Sequence, residues 1–321
     1  MSLAEFALID RIRARTRARD DIVLGIGDDA ALLQPLADHW LAVTSDTLNS
    51  GVHFPPETPP ADVGWKTLAV NLSDLAAMGA TPAWGTLALS LPEATADWID
   101  AFADGFFALA DAHDWRLIGG DTTRGPLSLS VTAFGQVPFG KALRRDGAQV
   151  GDDIWVSGTL GDAGAALRLW QDGALDVTHP AADPRLEYLR QRLLRPTPRV
   201  RLGIALRGIA SAAVDVSDGL LADLGHITTR SGVGAQVDVW KLPLSAALRS
   251  RFDQQAAREC AAAGGDDYEL CFTAARQEVA AIEDIATALG IALTRIGTVV
   301  PSSHGNAADS ARRGYQHFRQ D

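Results

Sequence analysis

Cysteine is almost absent: the 321 residues contain two, Cys260 and Cys271. Two thiols cannot form the framework of bridges that staples many secreted chains, so both are expected to be buried and reduced. Long apolar runs are missing too, and none approaches the roughly 20 residues that span a bilayer. The opening Met1-Ser2-Leu3-Ala4-Glu5-Phe6 lacks the charged, apolar and small-residue regions of a signal peptide. Positive charge is in deficit. Lys and Arg total 29 against 40 Asp and Glu, a formal net charge of −11, which is the wrong sign for a broad nucleic-acid surface. These absences point to a soluble, cytoplasmic protein that engages neither membrane nor nucleic acid.

What is present is an ordinary globular composition, 47% hydrophobic and 21% charged, at a length suited to about two domains. Phe6, Ile9 and Ile12 give the opening segment, Glu5 to Arg17, a helical period. Its arginines at 11, 13, 15, 17 and 19 fall every second residue, so a helix would spread them around a solvated surface. A long helix is predicted from Pro59 to Gly79, ended by that glycine and by Pro82. Short strands are predicted at Trp40–Val43, Thr86–Leu91, Arg116–Ile118 and Leu127–Val137, with a helix over Asp97–His113. The glycine-containing, basic stretch from Gly140 to Gly151 reads as a hinge. Beyond it, strands are expected at Asp153–Ser157, Ala212–Val216, Ala235–Val239, Tyr268–Thr273 and Ala292–Val299. The helices expected between them are Asp162–Trp170, Arg199–Arg207, Leu220 to about Thr229, and Arg276–Leu289. Each half thus has its own strands and helices. The fold expected is α+β, two mixed α/β domains at 1–140 and 141–321.

The chemistry lies in the aspartates. Asp46, Asp121 and the pair Asp215/Asp218 each follow a short apolar stretch, with small or hydroxyl residues around them. Strand ends on one sheet edge converge, so these carboxylates are expected to meet in one cleft, joined by Asp28, Asp29 and Asp74. Clustered carboxylates stay ionised together only with cations between them. Oxygen ligands without cysteine select hard ions, above all Mg²⁺, which typically binds one or two carboxylates plus substrate phosphates. Gly25, Gly27, Gly119 and Gly120 flank the aspartates and let backbone N–H groups approach an anion, so a nucleotide phosphate site is expected. Gly135-Gln136-Val137-Pro138-Phe139-Gly140-Lys141-Ala142 imitates a phosphate loop, but Ala142 stands where Ser or Thr would bind Mg²⁺, and no helix pattern follows. It is a chance match.

The pieces Gly25-Ile26-Gly27-Asp28-Asp29-Ala30-Ala31, Thr44-Ser45-Asp46-Thr47-Leu48 and Gly51-Val52-His53-Phe54 are ordered as in a known family. So are Lys66 to Gly79, Gly119 to Thr123, Asp215 to Leu220, Gly264 to Leu270 and Gly314 to Phe318. With these motifs the chain resembles the thiamine-monophosphate kinase family, within the aminoimidazole-ribonucleotide-synthetase-like superfamily of ATP-dependent enzymes. The resemblance implies two α+β domains, an N-terminal one that binds ATP and Mg²⁺ and dimerises through its sheet, and a C-terminal one that completes the active-site cleft. It implies transfer of the ATP γ-phosphoryl group to thiamine monophosphate, by direct in-line attack, to give thiamine diphosphate. By the same resemblance Asp29, Thr44, Ser45, Asp46, Asp74, Asp121, Asp215 and Asp218 would hold several Mg²⁺ ions. Gly120, Asp121, Arg145 and Ser217 would contact ATP, and His53, Asp266 and Tyr315 would contact the thiamine compound. Asp46, Asp121 and Asp218 would be the residues on which catalysis depends. Asp266 stands where the family often has Glu.

Three relatives in the superfamily compete with this reading. Selenophosphate synthetase and a hydrogenase-maturation protein need a reactive Cys or selenocysteine near a terminus, whereas both cysteines here are internal. Aminoimidazole ribonucleotide synthetase is separated only by substrate. From another class, an acidic module binding Ca²⁺ for structure would take metal without turning over ATP.

Overall fold

The structure, a computed structural model, describes residues 5–304. Tyr315 therefore lies outside the described residues. The chain divides into two compact units, Met1–Leu75 with Ala80–Gly140, and Ala76–Gly79 with Lys141–Asp321.

In the first unit, α1 (Glu5–Arg13) precedes the short strands β1 (Ile22–Leu24) and β2 (Leu32–Leu33). There follow β3 (His39–Asn49), α2 (Pro60–Ala77), β4 (Thr81–Leu91), α3 (Ala96–Ala112), β5 (Arg116–Arg124) and β6 (Ser128–Pro138). The main sheet has the order β3-β6-β4-β5, with β4 and β5 parallel and the other pairs antiparallel. On one face, Leu48, Leu87, Leu89, Leu129 and Val131 are buried, as are Leu68, Leu72 and Leu75 of α2 and Phe102 and Phe106 of α3. The two helices touch backbone to backbone: a Cβ on Gly105 would lie 1.8 Å from the Ala61 carbonyl oxygen, and one on Gly64 2.1 Å from that of Phe102. Any side chain at either position would force them apart.

The opening helix ends at Arg13, earlier than its periodicity predicts, so Arg15, Arg17 and Arg19 are not on it. Nor are the arginines merely solvated. Arg11 pairs with Asp100, Arg15 with Asp104 and Arg17 with Asp111, along the acidic side of α3. Pairs this exposed contribute about 0–1 kcal/mol each and chiefly fix the segment's path.

The second unit contains β7 (Asp153–Ser157), α4 (Asp162–Gln171), α5 (Pro184–Leu194), α6 (Val200–Ala205), β8 (Ala210–Asp215), α7 (Leu220–Ser231) and β9 (Gly234–Val237). It continues with α8 (Ala246–Arg251), α9 (Gln254–Ala263), β10 (Leu270–Ala274), α10 (Val279–Leu289) and β11 (Leu293–Val300). Its sheet runs β8-β10-β7-β11-β9 and is antiparallel throughout. Ile154, Val156, Val214, Cys271 and Ile296 from these strands join Leu189, Leu193, Leu224 and Leu248 from the helices in one buried cluster. Both cysteines are buried and unpaired with one another. Gly135 lies inside β6, and the stretch from Lys141 to Asp152 is not helical, so the phosphate-loop imitation has neither the turn nor the helix it would need.

No helix among the described residues is long and apolar enough to cross a membrane.

Candidate functional site

Two of the candidate aspartates do not follow short strands as expected: Asp46 stands inside an eleven-residue β3 and Asp121 inside β5, whereas Asp215 closes the six-residue β8. Ladder hydrogen bonds come from the backbone, so the change from apolar to polar side chains at Thr44 and Gly119 does not end the strands. Within β3 the polar residues divide by parity. Thr44 donates its hydroxyl to the Asp74 carboxylate on α2, and Asn71, three residues earlier on that helix, accepts the Asp46 backbone N–H at 3.1 Å. Ser45 takes the other face, where its hydroxyl pairs with Thr132 at 3.1 Å. The helix-facing side of β3 therefore gathers Thr44, Asp46, Asn71 and Asp74.

Asp121 does not join them. Asp46 registers with Val131, Val131 with Leu87, and Leu87 with Gly120, so Asp121 belongs to the next row, beside Ala88. It lies on the opposite face and at the opposite edge of the sheet, about 14 Å away across three inter-strand spacings. Gly120 has a local reason to be glycine: its Cβ would lie 1.9 Å from the Leu87 carbonyl oxygen. Asp29 is exposed in the loop between β1 and β2, where its N–H donates to Asp28 at 2.9 Å.

His53 follows β3. Its Nδ1 accepts the Asn49 backbone N–H at 2.9 Å, which puts the neutral ring's proton on Nε2. The buried Lys66 ammonium donates to the His53 carbonyl at 3.1 Å and holds the turn in place.

In the second unit, Ser217 and Asp218 occupy the loop from β8 to α7. Asp223, in the first turn of α7, accepts the N–H groups of Ser217, Asp218 and Gly219 at 3.0, 3.0 and 3.1 Å. Burial, then the charge of Asp218, pushes the Asp223 carboxyl up to about 7. His226, one turn further, has its pKa lowered by burial and then by Arg145, with Asp218 opposing. Arg145, Ser217 and Asp218 thus share one neighbourhood around the start of α7. Neither Asp223 nor His226 was expected from the sequence, although an acidic residue in a first helical turn after Asp218-Gly219 is a recognisable capping signal.

Asp266 lies across a backbone ladder from that loop. Its N–H donates to Ser217 at 2.8 Å, and the Tyr268 N–H donates to Val216 at 2.8 Å. Asp266 and Tyr268 both have left-handed φ, +67° and +50°. Behind them, the fully buried Glu269 accepts from Arg199 Nε at 2.6 Å, Arg192 at 3.1 Å and Ser157 at 2.6 Å.

Among the described residues, no group of three His, Cys, Asp or Glu side chains is placed to hold an ion by itself. The donors present are hydroxyl and carboxylate oxygens: Thr44, Asp46 and Asp74 in one unit, Asp215 and Asp218 in the other. That chemistry fits Mg²⁺, which completes its shell with water and phosphate oxygens.

Two domain families match the chain. The AIR synthase related protein N-terminal domain matches residues 27–137, and the C-terminal domain of the same proteins matches residues 149–310. A thiamine-monophosphate kinase of Salmonella typhimurium is 49% identical over 99% of both chains, and that of Escherichia coli K12 is 46% identical over the same share. The crystal structure of thiamine-monophosphate kinase from Stenotrophomonas maltophilia is 70% identical and superposes with a TM-score of 0.89, covering 94% of this chain and 95% of that one. The complex of AaThiL with AMPPCP and TMP is 32% identical with a TM-score of 0.78 over 99% of both chains. Hydrogenase maturation protein HypE, at 20% identity and a TM-score of 0.75, shares the fold over 99% of this chain and 96% of its own. Likeness that runs the length of both units, at these identities, makes the chain a member of the thiamine-monophosphate kinase family of AIR synthase related proteins.

Proposed function

We propose that this chain transfers the γ-phosphoryl group of ATP to the phosphate of thiamine monophosphate, giving thiamine diphosphate and ADP. The observation that carries the reading is the 49% identity to a thiamine-monophosphate kinase over 99% of both chains. An acceptor phosphate is already ionised near neutral pH, so no general base is needed, and in-line attack depends on positioning and charge neutralisation. Thr44, Asp46 and Asp74, with Asp29, Ser45, Asp121, Asp215 and Asp218, are the residues that would hold Mg²⁺. Bound there, Mg²⁺ would neutralise the charge between two polyanions. Arg145 and Ser217, with Gly120 and Asp121, serve ATP. The Nε2–H of His53 is a donor for the thiamine compound, and the Asp266 carboxylate complements its cationic ring.

The working form we infer is a homodimer paired through the first unit's sheet. Among the described residues, β3 is an eleven-residue edge strand that ladders only with β6, the kind of edge that recruits another strand. Apolar side chains cluster on and beside it: Trp40 is 50% and Val43 58% exposed, and Leu41, Leu36 and Phe139 are exposed with them. Within one chain Asp46 and Asp121 stand on opposite faces and edges. A two-fold that set the β3 edge of each protomer beside the β5 edge of the other would bring Asp46 of one chain and Asp121 of its partner toward a single ion set.

An acceptor panel tests the reading. ADP release is expected with thiamine monophosphate, and none with a ribotide amide, with selenide or without acceptor. Release driven by the ribotide amide instead would assign the chain to the synthetase chemistry.

A further inference from the structure

Tyrosine tolerates a left-handed backbone poorly, because its Cβ crowds the neighbouring carbonyl. Tyr268 nevertheless has φ of +50°, two residues after Asp266 at +67°. Such outliers persist where the surroundings over-determine them, and they gather at ligand clamps. Here the surroundings are on both sides. In front, the Asp266 and Tyr268 N–H groups donate to Ser217 and Val216, and the Val216 N–H donates back to Glu269 at 2.8 Å. Behind, the alternate side chains, Asp267 between them and Glu269 after them, are buried anchors. Asp267 accepts the Gly161 N–H at 2.6 Å and so caps the start of α4, whose own N-cap residue, a glycine, has no side chain. Glu269 is gripped by Arg199 and Arg192, and Arg192 also donates to the Asp267 carbonyl at 2.9 Å. Gly158, at φ +60°, leaves the room this needs: a Cβ there would lie 2.3 Å from a Glu269 carboxylate oxygen.

The alternation has a consequence. With Asp267 and Glu269 locked inward, Asp266 and Tyr268 share the other side, and the Tyr268 hydroxyl donates to Asp266 Oδ1 at 3.1 Å. The Tyr268 ring is buried, 7% exposed, whereas Asp266 is only half-buried. A rigid phenol therefore fixes the rotamer of a partly accessible carboxylate, on a loop whose backbone cannot relax.

We propose that Tyr268 is a positioning residue for the phosphoryl acceptor, its hydroxyl holding the Asp266 carboxylate in the orientation that meets the acceptor's cationic heterocycle. This rests on the reading that Asp266 serves thiamine monophosphate. A strap that merely stabilised the fold would need the ring and the backbone bonds but not the hydroxyl.

Tyr268→Phe removes that one oxygen and keeps ring and backbone. The expected result is a rise of about five- to tenfold in KM for thiamine monophosphate, with KM for ATP, kcat and the melting temperature nearly unchanged. In an Asp266→Ala background the same substitution should add nothing, because its effect runs through that carboxylate. An unchanged acceptor KM, an equal rise in both KM values, or full additivity in the double variant would each overturn the proposal while leaving the Asp266 assignment standing. If Asp266→Ala alone fails to weaken the acceptor selectively, the underlying reading fails, and the proposal falls with it.

Discussion

Mixing two inactive variants should restore activity. Asp46 faces α2 from one edge of the first unit's sheet, and Asp121 faces away from it at the other edge, three strands distant. If both serve one ion set, they come from different protomers. On the proposed reading Asp46→Asn and Asp121→Asn each remove a carboxylate that would hold Mg²⁺, and each should lower kcat at least about 100-fold while leaving the fold intact. A heterodimer of the two variants holds one site with both lesions and one with neither. Random reassociation of equal amounts gives about half heterodimers, so turnover should recover to about a quarter of the wild-type value per chain. The assay is ADP release after the variants are mixed, briefly dissociated in mild denaturant and refolded together, with each parent treated alone as control. Light scattering should report about twice 34.0 kDa throughout. Recovery no greater than the parents' own rates, in a mixture shown to contain heterodimers, would refute the reasoning and return both carboxylates to one chain.

Asp266→Ala should weaken thiamine monophosphate binding more than ATP binding in calorimetric titrations; equal losses would move Asp266 to the metals or the fold. Glu269→Ala leaves Arg199 and Arg192 without their shared buried carboxylate, a loss of about 3–5 kcal/mol, so the melting temperature should fall on the order of 10 °C. Asp267 provides a pH test. Burial pushes its carboxyl up to about 8, with Arg192 opposing and Asp162 reinforcing. The native state therefore favours the protonated form, and its contribution is fully present below about pH 4 and lost as pH rises through about 8. Stability should fall across that window by up to about 1.4 kcal/mol per pH unit from this group, and Asp267→Asn should flatten the slope in denaturant melts. Parallel slopes in the two proteins would remove Asp267 as the cause.

How much was legible in the sequence follows from what each signal reports. Alternation and helical period report burial, so β7 from Asp153 to Ser157 emerged with its observed bounds, and α2 and α3 to within a residue or two. Half-exposed edge strands have no such signature. β3 was expected over four apolar residues and runs for eleven, because Thr44, Ser45 and Asp46 continue the ladder with one face on α2 and the other bare. That error placed Asp46 at a strand end and led to the expectation that it would meet Asp121; only the register separates them. α5 was missed although Asp183 and Pro184 announce it: Asp183 accepts the Arg185 N–H, and Pro184 opens the first turn. Glu269 and Asp267 sat in a recognised motif without a role, since their partners Arg192, Arg199 and Gly161 are distant in sequence. Contacts between segments 70 to 110 residues apart have no local trace.

The most direct measurement is chromatography of the products. Incubated with ATP, Mg²⁺ and thiamine monophosphate, the protein should form thiamine diphosphate and ADP in equal amounts, and neither when the acceptor is omitted. ATP consumed without thiamine diphosphate, or thiamine monophosphate left unchanged by a folded, dimeric protein, would contradict the account.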